Sequence, residues 1–344
     1  MRKRRNTTSF IVSLITKVLY TFIALGLIIF ISISLFQGNF ADPFTAKITP
    51  TPSPTASPIP TNTPAPTGTP VPTVTPLPIP TPEFTGLSCI ITDNTTQETI
   101  LSINPELQIY PASTIKLVTA MVALDLAETD MEITISQAVV DSITPDVTSF
   151  HTPAGTTYSL EVWLNLLLIH SYGDAANAIA EGTAGSVENF VMLMNQKVTE
   201  LGLVNTSIDN AIGLDIGNDF NNFYSTAEDM LVIMTEAIKY PLILEIVSKP
   251  LYTVPDTPNV PSVDVKNTNP FLTKPEEFYS DMFTVIGGKT GSTNAAGNCL
   301  TMLVTGIDGH EYICVYYGGA DRSTMCTELI ALLEYAIQIN MSNH

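Results

Sequence analysis

Hydrophobic positions in residues 84–344 follow two periods in turn. Apolar and polar residues alternate in Leu87-Ser88-Cys89-Ile90-Ile91 and in Thr99-Ile100-Leu101-Ser102-Ile103, and polar Asp93-Asn94-Thr95-Thr96 lies between them. That pattern predicts a β-hairpin. The period then lengthens to that of a helix. One stretch covers about 113–127, with Ile115, Val118 and Val122 on one face, and others cover 160–170 and 174–182. Another, 187–201, begins at Ser186 and stops before Gly202, while 226–239 opens with a capping box, Ser225-x-x-Glu228. Alternation returns from Phe283 to Gly287. Leu300 to Thr305 and Tyr312 to Tyr317 flank Asp308-Gly309, a hairpin turn signal. An apolar helix over about 325–339 follows. Strands at both ends with helices between them predict an α+β fold, in which one antiparallel sheet built from both termini packs on a helical cluster.

The N-terminal part follows neither period. Arg2, Lys3, Arg4 and Arg5 precede an apolar stretch in which 19 residues, Val18 to Phe36, carry no charge. A transmembrane helix needs about 20 such residues, and the cationic end is expected to stay in the cytoplasm. The run is long for a signal peptide, and Gln37-Gly38-Asn39-Phe40 offers no small-x-small cleavage site, so an uncleaved anchor is expected. Residues 50–82 then hold 13 prolines, most alternating with threonine. Proline fixes φ and removes donors, so this stretch forms no core; an extended, semi-rigid spacer is expected, reaching roughly 100 Å at about 3.1 Å per residue. The expected organisation is a basic tail and membrane anchor over 1–40, a Pro/Thr-rich linker over 41–83 and an extracytoplasmic globular domain over 84–344.

Charge narrows the partners. The net charge is −19, but from Glu83 onward eight basic residues stand against 32 acidic ones. Phosphate contacts need clustered Lys and Arg, so nucleic acid is not an expected partner. Cys89, Cys299, Cys314 and Cys326 form no CxxC pair, and the four histidines have no metal-ligand spacing. No metal or other cofactor is expected.

Three short motifs carry candidate chemistry. In Pro111-Ala112-Ser113-Thr114-Ile115-Lys116, a serine and a lysine three apart at a helix start share a face. A neutral amine there can take the serine's proton, provided burial or a neighbouring cation depresses the lysine pKa. Ser171-Tyr172-Gly173-Asp174 places a serine at a helix–helix junction, where it can relay a proton. In Ile286-Gly287-Gly288-Lys289-Thr290-Gly291-Ser292, glycines at a strand end admit a substrate backbone, and Lys289 and Thr290 offer a cation and a hydroxyl to a carboxylate. Each motif alone has a bland reading as a helix cap or a tight turn.

Their order and spacing match the Ser-x-x-Lys, Ser-x-Asn and Lys-Thr-Gly set of penicillin-recognising serine enzymes. Together with Leu201-Gly202-Leu203-Val204-Asn205-Thr206-Ser207, Gly213-Leu214-Asp215, Tyr224-Ser225-Thr226-Ala227-Glu228-Asp229-Met230 and Asn267-Thr268-Asn269, they resemble the low-molecular-weight D-alanyl-D-alanine carboxypeptidases, serine peptidase family S11. The resemblance implies a β-lactamase/transpeptidase-like fold. It implies a Ser113 nucleophile, Lys116 as its general base and Ser171 as a proton relay. Lys289 and Thr290, with Gly291, would bind the terminal carboxylate, and Lys289 would help keep Lys116 neutral. The N–H groups of Ser113 and Ser292 would form an oxyanion hole. It further implies peptidoglycan stem peptides as substrate and β-lactams as covalent inhibitors. Because the first and last strands of that fold are neighbours, it also allows a Cys89–Cys314 bridge.

One departure concerns the second motif. Gly173 stands where the family has asparagine, within the expected substrate-binding set, and Gly173→Asn is expected to keep or raise activity. Two other readings are open, and the first shares the fold and two of the motifs. A class A β-lactamase would need a water-directing glutamate, and Asn205 to Asp215 contains none. A penicillin-sensing or wall-binding module without turnover would tolerate both the spacer and Gly173.

Overall fold

The computed structural model describes residues 79–215 and 220–343. The predicted basic tail, the membrane helix and almost all of the linker lie outside these residues. Among the described residues no helix is long and apolar enough to cross a membrane.

Strand β1 (Ser88–Asp93) and β2 (Glu98–Ile103) form the expected hairpin, paired Cys89 to Ile103 and Ile90 to Ser102. The predicted first helix is divided. Ala112–Ile115 is a turn of 3-10 helix, and α1 (Lys116–Leu126) continues from it. Next come β3 (Glu132–Thr134), α2 (Gln137–Ser142), β4 (Thr157–Ser159) and α3 (Leu160–Ile169). Helix α4 is Gly173–Ala184, α5 is Val187–Glu200 and α6 is Ala227–Ala237. Ser186 caps α5 as expected, accepting from Asn189 N. The cap of α6 is Thr226, whose side chain accepts from Asp229 N, rather than Ser225; the buried Ser225 hydroxyl is taken up instead by Thr206 Oγ1 at 2.8 Å.

Helix α7 (Pro241–Ser248), the hairpin of β5 (Leu251–Val254) and β6 (Val263–Lys266), and the short α8 (Pro270–Thr273) follow. Strand β7 (Phe283–Thr293) runs beyond its predicted end at Gly287, so Lys289 and Thr290 lie within a strand and not at its tip. Strand β8 (Gly297–Gly306) and β9 (Glu311–Gly319) complete the sheet, and α9 (Arg322–Asn343) is the C-terminal helix.

The five-stranded sheet has the order β2-β1-β9-β8-β7, with every neighbouring pair antiparallel. The strand that opens the domain therefore lies against one that closes it, as the sequence pattern predicts. Alternation along the strands supplies two apolar faces. On one, Cys89, Ile91, Leu300, Met302, Cys314 and Tyr316 pack on α9 through Leu329, Leu333 and Ile337. On the other, Ile90, Leu303, Ile313, Val315 and Tyr317 join the core of α1, α3, α4 and α6. The fold has three layers: α9, the sheet and the helical cluster.

All four cysteines are free thiols, which corrects the Cys89–Cys314 expectation. Strand register gives the reason. Cys89 pairs with Tyr316 and Cys314 with Ile91, so the two cysteines are diagonal and not directly opposite. Diagonal neighbours are about 7–8 Å apart, beyond the usual Cα separation of a disulfide.

Candidate active site

The site forms where the helical cluster meets the outer strand of the sheet. Ser113 sits on the 3-10 turn and Lys116 is the first residue of α1, one turn on. Ala112, just before the serine, has φ +49. Gly213 (φ +84) presses on this turn, and a Cβ there would come 2.3 Å from Ala112 O. That close approach brings the carbonyl of Ile212 over the lysine. Lys116 Nζ lies 2.9 Å from Ser113 Oγ and also donates to Ile212 O.

Lys116 is 1% exposed. Burial pulls its pKa down to about 7, against a smaller opposing pull from the Asp174 carboxylate. At neutral pH a substantial fraction is thus the free amine, which can accept a proton from Ser113.

Ser171 follows α3 at a sharp reversal, with φ +68. Left-handed backbone is unusual for a non-glycine residue and marks a position fixed by its surroundings. The reversal brings Ser171 Oγ to 2.9 Å from Lys289 Nζ, which also donates to Thr290 O at 2.8 Å. Lys289 is fully buried, and its pKa lies well below the ordinary lysine value, through burial first and then the cations Lys116 and Arg322.

Thr290 Oγ1 pairs with Thr268 Oγ1 at 2.5 Å, and Arg322 reaches Thr268 O at 3.5 Å. Gly291 lets β7 lie against the serine turn, since a Cβ there would be 3.2 Å from Ser113 N. Ser113, Ser171, Thr290, Gly291 and Ser292 line a cavity of about 600 Å³, together with Thr268, Arg322, Lys274 and Glu277.

Of the sequence-predicted residues, Ser113, Lys116, Ser171, Lys289, Thr290, Gly291 and Ser292 meet in one place. Gly173 does not line the cavity. It starts α4, donates its N–H to Thr148 O at 2.8 Å, and its side-chain direction points at Val147 Cγ1. The expected tolerance of Gly173→Asn runs against this geometry, because a Cβ would lie 2.3 Å from that methyl. Sequence reasoning gave Asp174 no role beyond a helix cap and missed Ile212, Val147 and Arg322. Each acts through a chain reversal or a long-range contact that no local pattern encodes. Thr268 lay within a quoted stretch, Asn267-Thr268-Asn269, without an assigned role.

The D-alanyl-D-alanine carboxypeptidase model of the S11 peptidases matches residues 77–319, most of the described chain and every motif above. The chain belongs to the D-alanyl-D-alanine carboxypeptidase family. It is 32% identical to the D-alanyl-D-alanine endopeptidase of Escherichia coli over 235 residues, 64% of this chain and 67% of that one. It is 30% identical to D-alanyl-D-alanine carboxypeptidase DacB2 of Mycobacterium tuberculosis, over 62% of this chain and 69% of that one. Among solved structures it resembles the Streptomyces K15 DD-transpeptidase, with a TM-score of 0.67 and 25% identity, covering 76% of this chain and 100% of that one. The carboxypeptidase family thus accounts for the mixed fold, the antiparallel sheet and the motif order together.

Proposed function

We propose that this protein is a serine D-Ala-D-Ala carboxypeptidase that removes the terminal D-alanine from peptidoglycan stem pentapeptides through an acyl-enzyme on Ser113. The observation that carries this reading is the contact of the buried Lys116 amine with Ser113 Oγ at 2.9 Å, at the edge of a cavity whose wall presents Thr290.

In this reading Ser113 Oγ attacks the carbonyl carbon of the penultimate D-alanine as its proton passes to Lys116. The oxyanion is held by the N–H groups of Ser113 and Ser292, a donor pair of a kind worth several kcal/mol. The C–N bond breaks as the leaving amine takes a proton through Ser171, whose hydroxyl is held by Lys289. Thr290, Lys289 and Gly291 receive the departing residue's carboxylate, and the Thr290–Thr268–Arg322 arrangement adds positive charge there. Water then attacks the ester, with its proton going to Lys116, and restores Ser113. A β-lactam would acylate the same serine and deacylate slowly. Membrane attachment through the uncharged run Val18 to Phe36, with the catalytic domain outside, belongs to the same proposal and rests on that run and the cationic cluster before it.

The test is D-alanine release from a pentapeptide ending in D-Ala-D-Ala, by the full chain and its Ser113→Ala variant. Release by the wild type alone is expected. Absence of release by both, with Ser113 still acylated by penicillin, would move the assignment to a sensor. Release only when an amine acceptor is present would move it to a transpeptidase.

A further inference from the structure

Residues 209–215 form a loop without helix or strand, and two successive carbonyls of it bind α1. Ala211 O accepts from Thr119 Oγ1 at 3.0 Å, and Ile212 O accepts from Lys116 Nζ. Lys116 and Thr119 are three apart, so both bonds fall on one face of the helix.

The carbonyl on the lysine belongs to a peptide unit that is held at its other end. Ile212 C=O and Gly213 N–H are the two polar groups of that unit. It is planar and trans, so they point in opposite directions. The C=O binds the lysine, and the N–H donates to Asn210 Oδ1 at 2.7 Å. The next N–H, of Leu214, donates to the same oxygen at 3.0 Å. Asn210 Nδ2 in turn donates to Leu214 O at 2.8 Å and to Asp209 Oδ1 at 2.6 Å. Backbone N–H groups only donate, and carbonyl and carboxylate oxygens only accept, so these partners fix which way round the amide sits.

The covalent chain does not hold that plane by itself. Gly213 has φ +84, and glycine takes left-handed and right-handed backbone at similar cost. A tie on its N–H selects one orientation of the peptide. The same tie polarises the unit, which makes Ile212 O a stronger acceptor.

We propose that Asn210 is a positioning residue for the general base: by holding the Gly213 N–H it turns the Ile212 carbonyl onto Lys116 and keeps the amine beside Ser113 Oγ. This deepens the acyl-enzyme reading and rests on Lys116 being its base.

The proposal has a signature in the pH dependence. Ile212 O accepts from either form of the lysine, but the bond from an ammonium is the stronger. Loss of that bond costs the ammonium more than the amine, so the proton affinity of Lys116 falls while its placement worsens. The acid limb of acylation then moves to lower pH as the plateau drops. A smaller folded fraction would lower the amount of acylated protein and leave the limb where it is. The charged groups that face the amine are Asp174 from α4 and Lys289 from β7. On the loop itself, Asp215 accepts from Thr293 Oγ1 at 2.9 Å and Asp209 from Asn210 Nδ2. None of these four is substituted below.

The experiment measures the second-order rate of Ser113 acylation by a fluorescent penicillin as a function of pH, per active site counted from the bound label. It uses the full-length protein and its Asn210→Ala, Asn210→Asp and Lys116→Ala variants. Asn210→Ala is expected to lower the plateau about tenfold and to move the acid limb down by about half a pH unit. Asn210→Asp keeps the accepting oxygen and adds a negative charge to the loop. Its plateau is expected within about threefold of wild type, with the acid limb above the wild-type one. Should Asn210→Ala unfold the protein in a thermal melt, Asn210→Ser, whose side chain is too short to bridge the loop as the amide does, takes its place with the same expectation.

A wild-type plateau and limb in Asn210→Ala, or in its replacement, would overturn the proposal. So would a lowered plateau with an unmoved limb, which would make Asn210 a prop of the fold only. An Asn210→Asp plateau as low as that of Asn210→Ala would also overturn it, since the accepting oxygen would then not be the cause. Acylation that survives Lys116→Ala would overturn the general-base reading and the proposal with it. Its loss there, beside wild-type behaviour of Asn210→Ala, would strike the proposal alone.

Discussion

Lys289 Nζ lies 2.9 Å from Ser171 Oγ, so a strand of the sheet and the junction between two helices are joined by one hydrogen bond across the cleft. Each serine of the site thereby has its own lysine, Ser113 with Lys116 and Ser171 with Lys289. The two amines are coupled as well: the positive charge of Lys116 lowers the pKa of Lys289, after burial. A proton arriving at one makes protonation of the other less favourable.

Among the described residues Ser171→Ala leaves the Lys289 amine with the Thr290 carbonyl alone, and it removes the relay to the leaving group. D-alanine release is expected to fall by about 10²–10⁴, the usual range for loss of a positioned proton-transfer group. Loss of a partner for the buried Lys289 amine should also lower stability, by about 1–3 kcal/mol. A melt beside the release assay separates the catalytic loss from unfolding.

The pH dependence of acylation follows from Lys116. The base must be unprotonated, and its pKa is about 7. The rate should therefore rise with pH through that value and level off above it. The same shift governs stability with a definite sign. Between about 7 and the ordinary lysine value of 10.5 the unfolded chain holds a proton that the folded chain has lost, so this group's contribution grows more favourable as pH rises across that window. Lys116→Met, which removes the cost of the buried amine, should raise the melting temperature at neutral pH while abolishing acylation.

Gly213→Ala tests how the lysine's carbonyl partner is placed. The new Cβ would stand 2.3 Å from Ala112 O, on a backbone with φ +84. The expected cost is about 1–3 kcal/mol. Because Ile212 O is displaced from Lys116, acylation should fall more than stability alone explains. Denaturant titration and the acylation rate, measured on the same preparation, check both.

Away from the cleft, a polar cluster ties the first strand to the last helix. His310 Nδ1 is 2.6 Å from Asp93 Oδ2, and Asn340 Nδ2 reaches the same carboxylate at 3.1 Å. The hydrogen bond to Asp93 raises the His310 pKa. Burial pushes Asp93 up, but His310 and the Thr96 and Thr95 N–H groups more than offset it, and its pKa is lowered. The histidine's contribution is fully present below its unfolded value of about 6.5 and is lost as pH rises through the raised folded value. That of Asp93 is present above its unfolded value and is lost as pH falls through the lowered one. His310→Gln should flatten the upper part of the stability–pH curve and leave D-alanine release unaffected at mid-pH. Melting temperatures across the range provide the check.

The cysteines give a direct chemical readout. Protein denatured without reductant should take up four alkyl groups per chain, one for each free thiol. Mass spectrometry before and after alkylation reads the number.

Local chemistry made much of this protein legible in its sequence. Period-two alternation at both ends of the domain implied a sheet closed by its termini, and β1 does lie against β9. Ser113 and Lys116 stand one helical turn apart, a spacing set by backbone geometry alone, and they meet at 2.9 Å. The Lys289-Thr290-Gly291 segment could be read because its residue types and order carry the chemistry wherever the strand ends. The tertiary structure decided what surrounds those groups. Ile212 reaches Lys116 across 96 positions of sequence, and Lys289 reaches Ser171 across 118. Val147 fills the space beside Gly173 from a loop that Asp174 and the Gly173 N–H fasten there. A lysine becomes a base when water is removed from it and its partners are chosen. Exclusion of water is a property of packed surfaces from distant segments, so the identity of the base is written locally, while its proton affinity is set by the fold.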